Sequence, residues 1–243
     1  PGRRGSRPKR ASPGEGIARE RRPSPPTGDS SLRDAQSRGI RVIGRLELPG
    51  GGQVTVEGDR AYVGHMDPPL GTTILDVPDP GKPQVLAQVS VPPGTMSHKV
   101  RVSGDIMLVN YQRMRDPRLQ HPDFQGGLKV FDVSDPGNPE PLGLFPVAGR
   151  GVHRFDFDGR YAYLSAEMEG YLGHIVVIVD LKDPRRPEEV SRWWLPGQHT
   201  DGGETPDWEG RGSRCHHPLR CGNRLYVSYW HGGFVILDIE DLS

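Results

Sequence analysis

The sequence predicts an all-β chain of radially arranged, four-stranded antiparallel blades, a β-propeller, and three observations carry that prediction. From Ile40 onward, short β-type runs are broken by Gly and Pro, and no stretch holds a helical period over three turns. A strand, a glycine turn and a second strand recur at residues 52–63, 98–109, 153–164 and 216–227, with turn glycines Gly58, Gly104, Gly159 and Gly222 spaced 46, 55 and 63 residues apart. An apolar run ending in Asp follows each copy, at Asp76, Asp132, Asp180 and Asp238. Units of this kind, separated by insertions of variable length, are what propeller blades look like. A β-sandwich is the competing architecture, but it would not repeat one hinge at a fixed phase.

Composition divides the chain in two. Residues 1–38 hold ten Lys/Arg against four Asp/Glu, a net +6, so the rest of this formally neutral chain carries −6. That leading segment is rich in Pro, Gly and Ser and nearly free of large apolar residues, so it cannot offset its ordering entropy by burial; a disordered basic tail is expected over 1–38, and blades over 40–243. The zero net charge argues against nucleic acid as a partner, and no apolar run approaches the ~20 residues of a membrane helix. Cys215 and Cys221 bracket one predicted strand. Six strand residues span ~20 Å, far beyond the ~7 Å a disulfide tolerates between Cα atoms. Two unpaired thiols tilt localisation toward a reducing, cytoplasmic compartment, although the chain opens on Pro1 and localisation stays open.

Each unit has four strand-like parts. The first two meet at Gly58-Asp59, Gly104-Asp105, Gly159-Arg160 and Gly222-Asn223, where glycine supplies the positive φ of a tight hairpin turn. The third part is almost continuously apolar, as suits a strand buried on both faces. It runs into Asp79-Pro80, Asp135-Pro136 and Asp183-Pro184, where proline presets φ and Asp side chains can accept from nearby backbone N–H groups. A fourth strand follows in the first three units, and 42–48 reads like one as well. That stretch either completes the last blade, closing a four-bladed ring, or the chain is an arc of a larger propeller, which the stop inside a hinge motif favours.

The hinge, together with Ile178-Val179-Asp180-Leu181 and Ile236-Leu237-Asp238-Ile239, resembles the LVIVD-repeat β-propeller family over about residues 40–243. More distantly, the chain is similar to the selenium-binding protein and methanethiol oxidase group, propellers with histidines near the axis and a proposed copper site. None of that group's ligands maps onto this chain residue by residue.

Six residues before the turn glycines stand Gly52, His98, His153 and His216. Equivalent positions of a radial repeat converge, so three imidazoles from separate strands form a candidate site for a transition metal, copper, iron or zinc, with a coordination position left for water or substrate. His217 and His65 are lesser candidates. Two considerations compete with the metal. Such a histidine can simply hydrogen-bond within its own blade, and strand parity puts His98 in phase with Val100 and Val102, pointing it into the packing between blades. The long insertions 111–125, 166–173 and 197–214 fall at the same blade end as these histidines, marking a binding face. On it, Glu204 and Glu167 are candidate general bases or outer carboxylates, and Lys99, Arg101, Arg154 and Arg220 could favour anionic or polar ligands. The expected function is a metal-dependent oxidoreductase acting on a small molecule at this face; the alternative is a non-catalytic scaffold presenting its loops to a protein partner. There is no phosphate-binding glycine loop, nucleophile elbow, HExxH or CxxC motif.

Overall fold

The computed structural model describes residues 38–208 and 212–242; the tail expected to be disordered lies, apart from Arg38, outside the described residues. The chain divides into two units, Pro1–Val42 and Ile43–Ser243, and of the first only residues 38–42 are described, without regular structure. The second unit is all-β. Its first blade is β1 (Gly51–Glu57), β2 (Arg60–His65), β3 (Leu70–Asp76) and β4 (Gln84–Ser90). In the second, β5 (Thr95–Met96) and β6 (Val100–Ser103) both pair with β7 (Ile106–Arg113), followed by β8 (Gly126–Asp132) and β9 (Glu140–Val147). The third is β10 (Val152–Phe157), β11 (Tyr161–Glu167), β12 (His174–Asp180) and β13 (Glu188–Trp193), and the fourth has β14 (Arg214–Cys221), β15 (Arg224–Trp230) and β16 (Gly233–Asp238). Every pairing is antiparallel, and strands neighbour one another in chain order, as propeller blades require.

The local chemistry follows the repeat. Gly58, Gly104 and Gly222 take φ of 55°, 56° and 58° at the first position of their two-residue turns, a conformation that costs a side-chain-bearing residue energy. In the hinges, Asp79, Asp132, Asp135, Asp180, Asp183 and Asp238 each accept the backbone N–H two residues on, at 2.8–3.0 Å. The terminal Asp of the third strand also pairs with an arginine at or just before the start of the second: Arg60 with Asp76, Arg160 with Asp180 at 3.0 Å, and Arg224 with Asp238 at 2.7 Å. Cys215 is buried and Cys221 exposed on β14, and both are free thiols.

Apolar side chains fill the spaces between successive blades. Tyr62 and Ile74 pack against Val100, Met107 and Val109; Leu128 and Val130 pack against Phe155 and Leu164; Tyr163, Val176 and Ile178 pack against Cys215, Leu225 and Val227. The same repeat position in the third strand is occupied by Ile74, Val130, Ile178 and Ile236, with exposures of 0, 0, 4 and 52%. The fourth blade thus has nothing among the described residues over the face its predecessors bury. On the first blade, Val54 and Val56 of the opposite face are likewise exposed. The four blades form an arc. The expected strand over 42–48 is absent: residues 41–48 have no strand pairing, and β14–β16 has no fourth member among the described residues. Leu48 instead packs beside Ala61, Val63 and Leu75 of the first blade, where a neighbour's apolar face is available and the fourth blade is not.

Candidate functional site

The first strands of successive blades adjoin one another, β1 beside β6, β6 beside β10 and β10 beside β14, so residues at their start meet along the inner edge. At that point each strand is irregular. Val152 pairs with Ala166 and Arg154 with Ser165, leaving His153 as an extra residue; Cys215 and His217 flank His216 in the same way; and β1 shifts register between Gly51 and Val54. In the second blade, the break between Met96 and Val100 contains His98. A bulge leaves its extra residue unpaired and re-aims it. Strand parity therefore fails at the histidines, and they do not follow Val100 and Phe155 into the spaces between blades.

The three predicted histidines come together, and a fourth joins them. The His153 ring lies 5.7 Å from that of His98, 5.3 Å from His216 and 5.9 Å from His174. Two imidazoles sharing one tetrahedral ion, with metal–nitrogen bonds of ~2.0–2.1 Å, have centroids ~5 Å apart. The arrangement centres on His153 rather than on a common empty point. Among the described residues, no three His, Cys, Asp or Glu side chains are disposed around one position as metal ligands.

Burial keeps these rings neutral. It holds His98 down to about 3 and His174 to about 4, in each case with nearby lysine or arginine charges adding to the effect. His153 is lowered to about 2, by burial and then by its histidine neighbours, and His216 is lowered by burial and Arg154. Gln112 orients the central ring, its Oε1 lying 3.0 Å from His153 Nδ1, where it can only accept; this places the proton on Nδ1 and the lone pair on Nε2. Asn110, held by the Lys99 N–H at 2.8 Å and donating to the Val152 carbonyl at 3.0 Å, lies beside His98 Nδ1. The buried Nε2 of His174 and Nε of Arg154 have no hydrogen-bond partner among the described residues.

Beside the cluster lies a cavity of about 600 Å³ lined by His153, His174, Gln112, Glu167, Trp230 and the arginines 115, 150 and 214. Gln112, Glu167, Gly173 and Arg214 of this lining come from the ends of the predicted insertions. Trp230 stands edge-on to His216 at 4.7 Å, joining cavity to cluster.

The remaining candidates separate. His65 is fully buried, with Nδ1 2.7 Å from the Pro49 carbonyl and Nε2 2.7 Å from Thr73 Oγ1, so both nitrogens serve the first blade's own structure. His217 neighbours His216 at 6.5 Å and is held near 4 by burial. Glu204 accepts from Trp194 Nε1 at 3.1 Å and from the Gly197 and His199 N–H groups at 2.8 and 3.1 Å, which pins its own loop away from the cavity lining. Glu167 lines the cavity, and its Oε2 accepts the Arg150 N–H at 2.5 Å. Arg101 and Arg220 are tied to Asp156 and Asp158 at 3.1 and 3.3 Å. Lys99 is buried and lowered to about 8, by burial and then by Arg154.

Sequence reasoning missed His174, because the other blades carry Leu70, Gly126 and Gly232 at its phase and no repeat pattern marks it. It also missed Gln112, for which a signal existed. Eight residues after the turn glycine stand Gln112, Glu167 and Trp230, and all three line the cavity.

An LVIVD repeat model matches residues 122–143, spanning β8 and its hinge, and 221–243, spanning β15 and β16. No curated protein matches the chain. Among solved structures, the computationally designed Ika4 protein is 14% identical, with a TM-score of 0.50 over 82% of this chain and 99% of that one. The designed Ika8 protein is 11% identical with a TM-score of 0.49, over 79% of this chain and 47% of that one. A functionally unknown protein from Desulfotomaculum acetoxidans, 11% identical, gives 0.40 over 79% and 67%. The likeness to Ika4 is one of fold alone. The similarity to selenium-binding proteins draws no support from these matches.

Proposed function

For this LVIVD-repeat β-propeller we propose a transition-metal site at the histidine cluster, serving a small-molecule oxidoreductase in the adjoining cavity. His153 is the central ligand, with His98, His216 and His174 around it, and the metal is copper, iron or zinc. One observation carries the reading: four neutral imidazoles from three blades stand with ring centroids 5.3–5.9 Å apart around His153. Neutral imidazole is the form that ligates, and strands hold ligands more rigidly than loops do. The donors suit the ion in composition, and the buried His174 Nε2 has no hydrogen-bond partner among the described residues. When bound, the ion would supply Lewis-acid or redox chemistry. The chain's own residues do the rest: Gln112 fixes the His153 tautomer, Trp230 walls the cavity beside His216, and Glu167 is the carboxylate placed to hold or pass a proton at the cavity wall.

Metal analysis tests this directly. The purified chain, reconstituted with copper, iron and zinc in turn, is expected to retain one ion of one of them, and His153→Ala to lose it while keeping its β-sheet circular dichroism. A chain that stays metal-free under all three would sink the enzyme reading and leave the non-catalytic scaffold.

A further inference from the structure

We infer that the cavity beside the histidine cluster selects a small organic dianion, recognised through Arg115, Arg150 and Arg214. This deepens the small-molecule reading above and rests on it only for the location of the ligand. Several other arginines of the blades find carboxylates: Arg101 meets Asp156 at 3.1 Å, Arg160 meets Asp180 at 3.0 Å and Arg224 meets Asp238 at 2.7 Å. The three cavity arginines make no ion pair among the described residues, although all three face one volume of about 600 Å³. Arg214 instead lies over the Trp230 ring at 6.0 Å. Glu167 is the single carboxylate among the described residues of the lining, and its Oε2 is engaged by a backbone N–H rather than by a guanidinium.

Among the described residues of the lining, three guanidiniums against one carboxylate leave an excess of two positive charges. Guanidinium forks match the planar or tetrahedral oxyanions of carboxylates and phosphates in a bidentate manner, so the charge and donor geometry suit a dicarboxylate or a phosphate monoester. The volume lies within the usual range for small-molecule sites. The apolar Trp230 face and the polar Gln112 amide give such a ligand's carbon skeleton a wall and an anchor.

The test is calorimetric titration of the chelator-treated chain in physiological salt with succinate, glycerol phosphate and, as the neutral isostere, succinamide. The expected result is one site per chain for succinate or glycerol phosphate, the tighter of the two identifying the oxyanion, and no heat from succinamide. Arg150→Gln and Arg214→Gln should each weaken the dianion ~10-fold or more, the usual consequence of losing a charged hydrogen bond. Arg115→Gln repeats the measurement should either of those variants lose its β-sheet spectrum. Unchanged affinity in the arginine variants, equal binding of succinamide, or no binding of either dianion would overturn the inference. Retained dianion binding by a chain that takes up no metal supports it while refuting the metal reading. Binding that requires metal and ignores the arginine substitutions overturns it.

Discussion

Ile178 and Ile236 occupy one repeat position and should respond to the same substitution by very different amounts. Ile178 is 4% exposed, packed with Tyr163 and Val176 against Cys215, Leu225 and Val227 of the next blade, whereas Ile236 is 52% exposed with no blade over it among the described residues. Truncating a fully buried isoleucine to alanine removes ~1.5–3 kcal/mol of transfer free energy and adds a cavity term, within a total of ~2–5 kcal/mol. For Ile178→Ala, enclosed on both sides, the expectation is about 3–4 kcal/mol. Ile236→Ala leaves no enclosed cavity and forfeits about half the transfer term, ~1 kcal/mol or less. Against a domain stability of ~5–15 kcal/mol the first loss is large and the second small. Urea unfolding reads both: with a slope near ~3 kcal/mol per molar, Ile178→Ala should lower the midpoint by about 1 M and Ile236→Ala by a few tenths, both with unchanged slope. Equal shifts would mean that the Phe234 and Ile236 face is covered in solution, and the open-arc reading would be wrong.

Acid should destabilise the metal-free protein early. His98, His153 and His174, held near 3, 2 and 4, refuse protons that the unfolded chain accepts below ~6.5. Stability is therefore fully present above about pH 6.5 and falls as pH drops toward 4, by up to ~1.4 kcal/mol per pH unit for each such group. Urea midpoints from pH 7.5 to 4.5 should show that slope, and a flat profile would contradict the burial of the cluster. Gln112→Leu, which removes the acceptor fixing His153 Nδ1–H, should weaken metal retention by ~10–100-fold in competition with a chelator, and Gln112→Glu should restore it. Glu204→Ala should speed hydrogen exchange at the Gly197 and His199 amides and leave metal content unchanged, because its oxygens brace the loop rather than the site. Altered metal content in that variant would return Glu204 to its expected role as an outer carboxylate of the site.

Blade architecture was legible in the sequence because it rests on local rules that recur: glycines where φ must be positive, Asp-Pro hinges whose side chains cap their own backbone, and apolar third strands. The proximity of His98, His153 and His216 was legible for the same reason, since residues at one phase of a radial repeat end up side by side. Parity, which set His98 in phase with Val100 and His153 with Phe155, gave the wrong direction because the strand is broken at His98 and bulged at His153, and such irregularities depend on how two strands are paired, which one strand's sequence does not state. His174 and the cavity arginines were invisible because they reach the site from unrelated phases and loops of different length. The apolar pattern of β16 likewise predicts a strand buried on both faces. Only the tertiary structure decides that Phe234 and Ile236 stand open, because burial is a property of what lies across the interface and not of the residue that faces it.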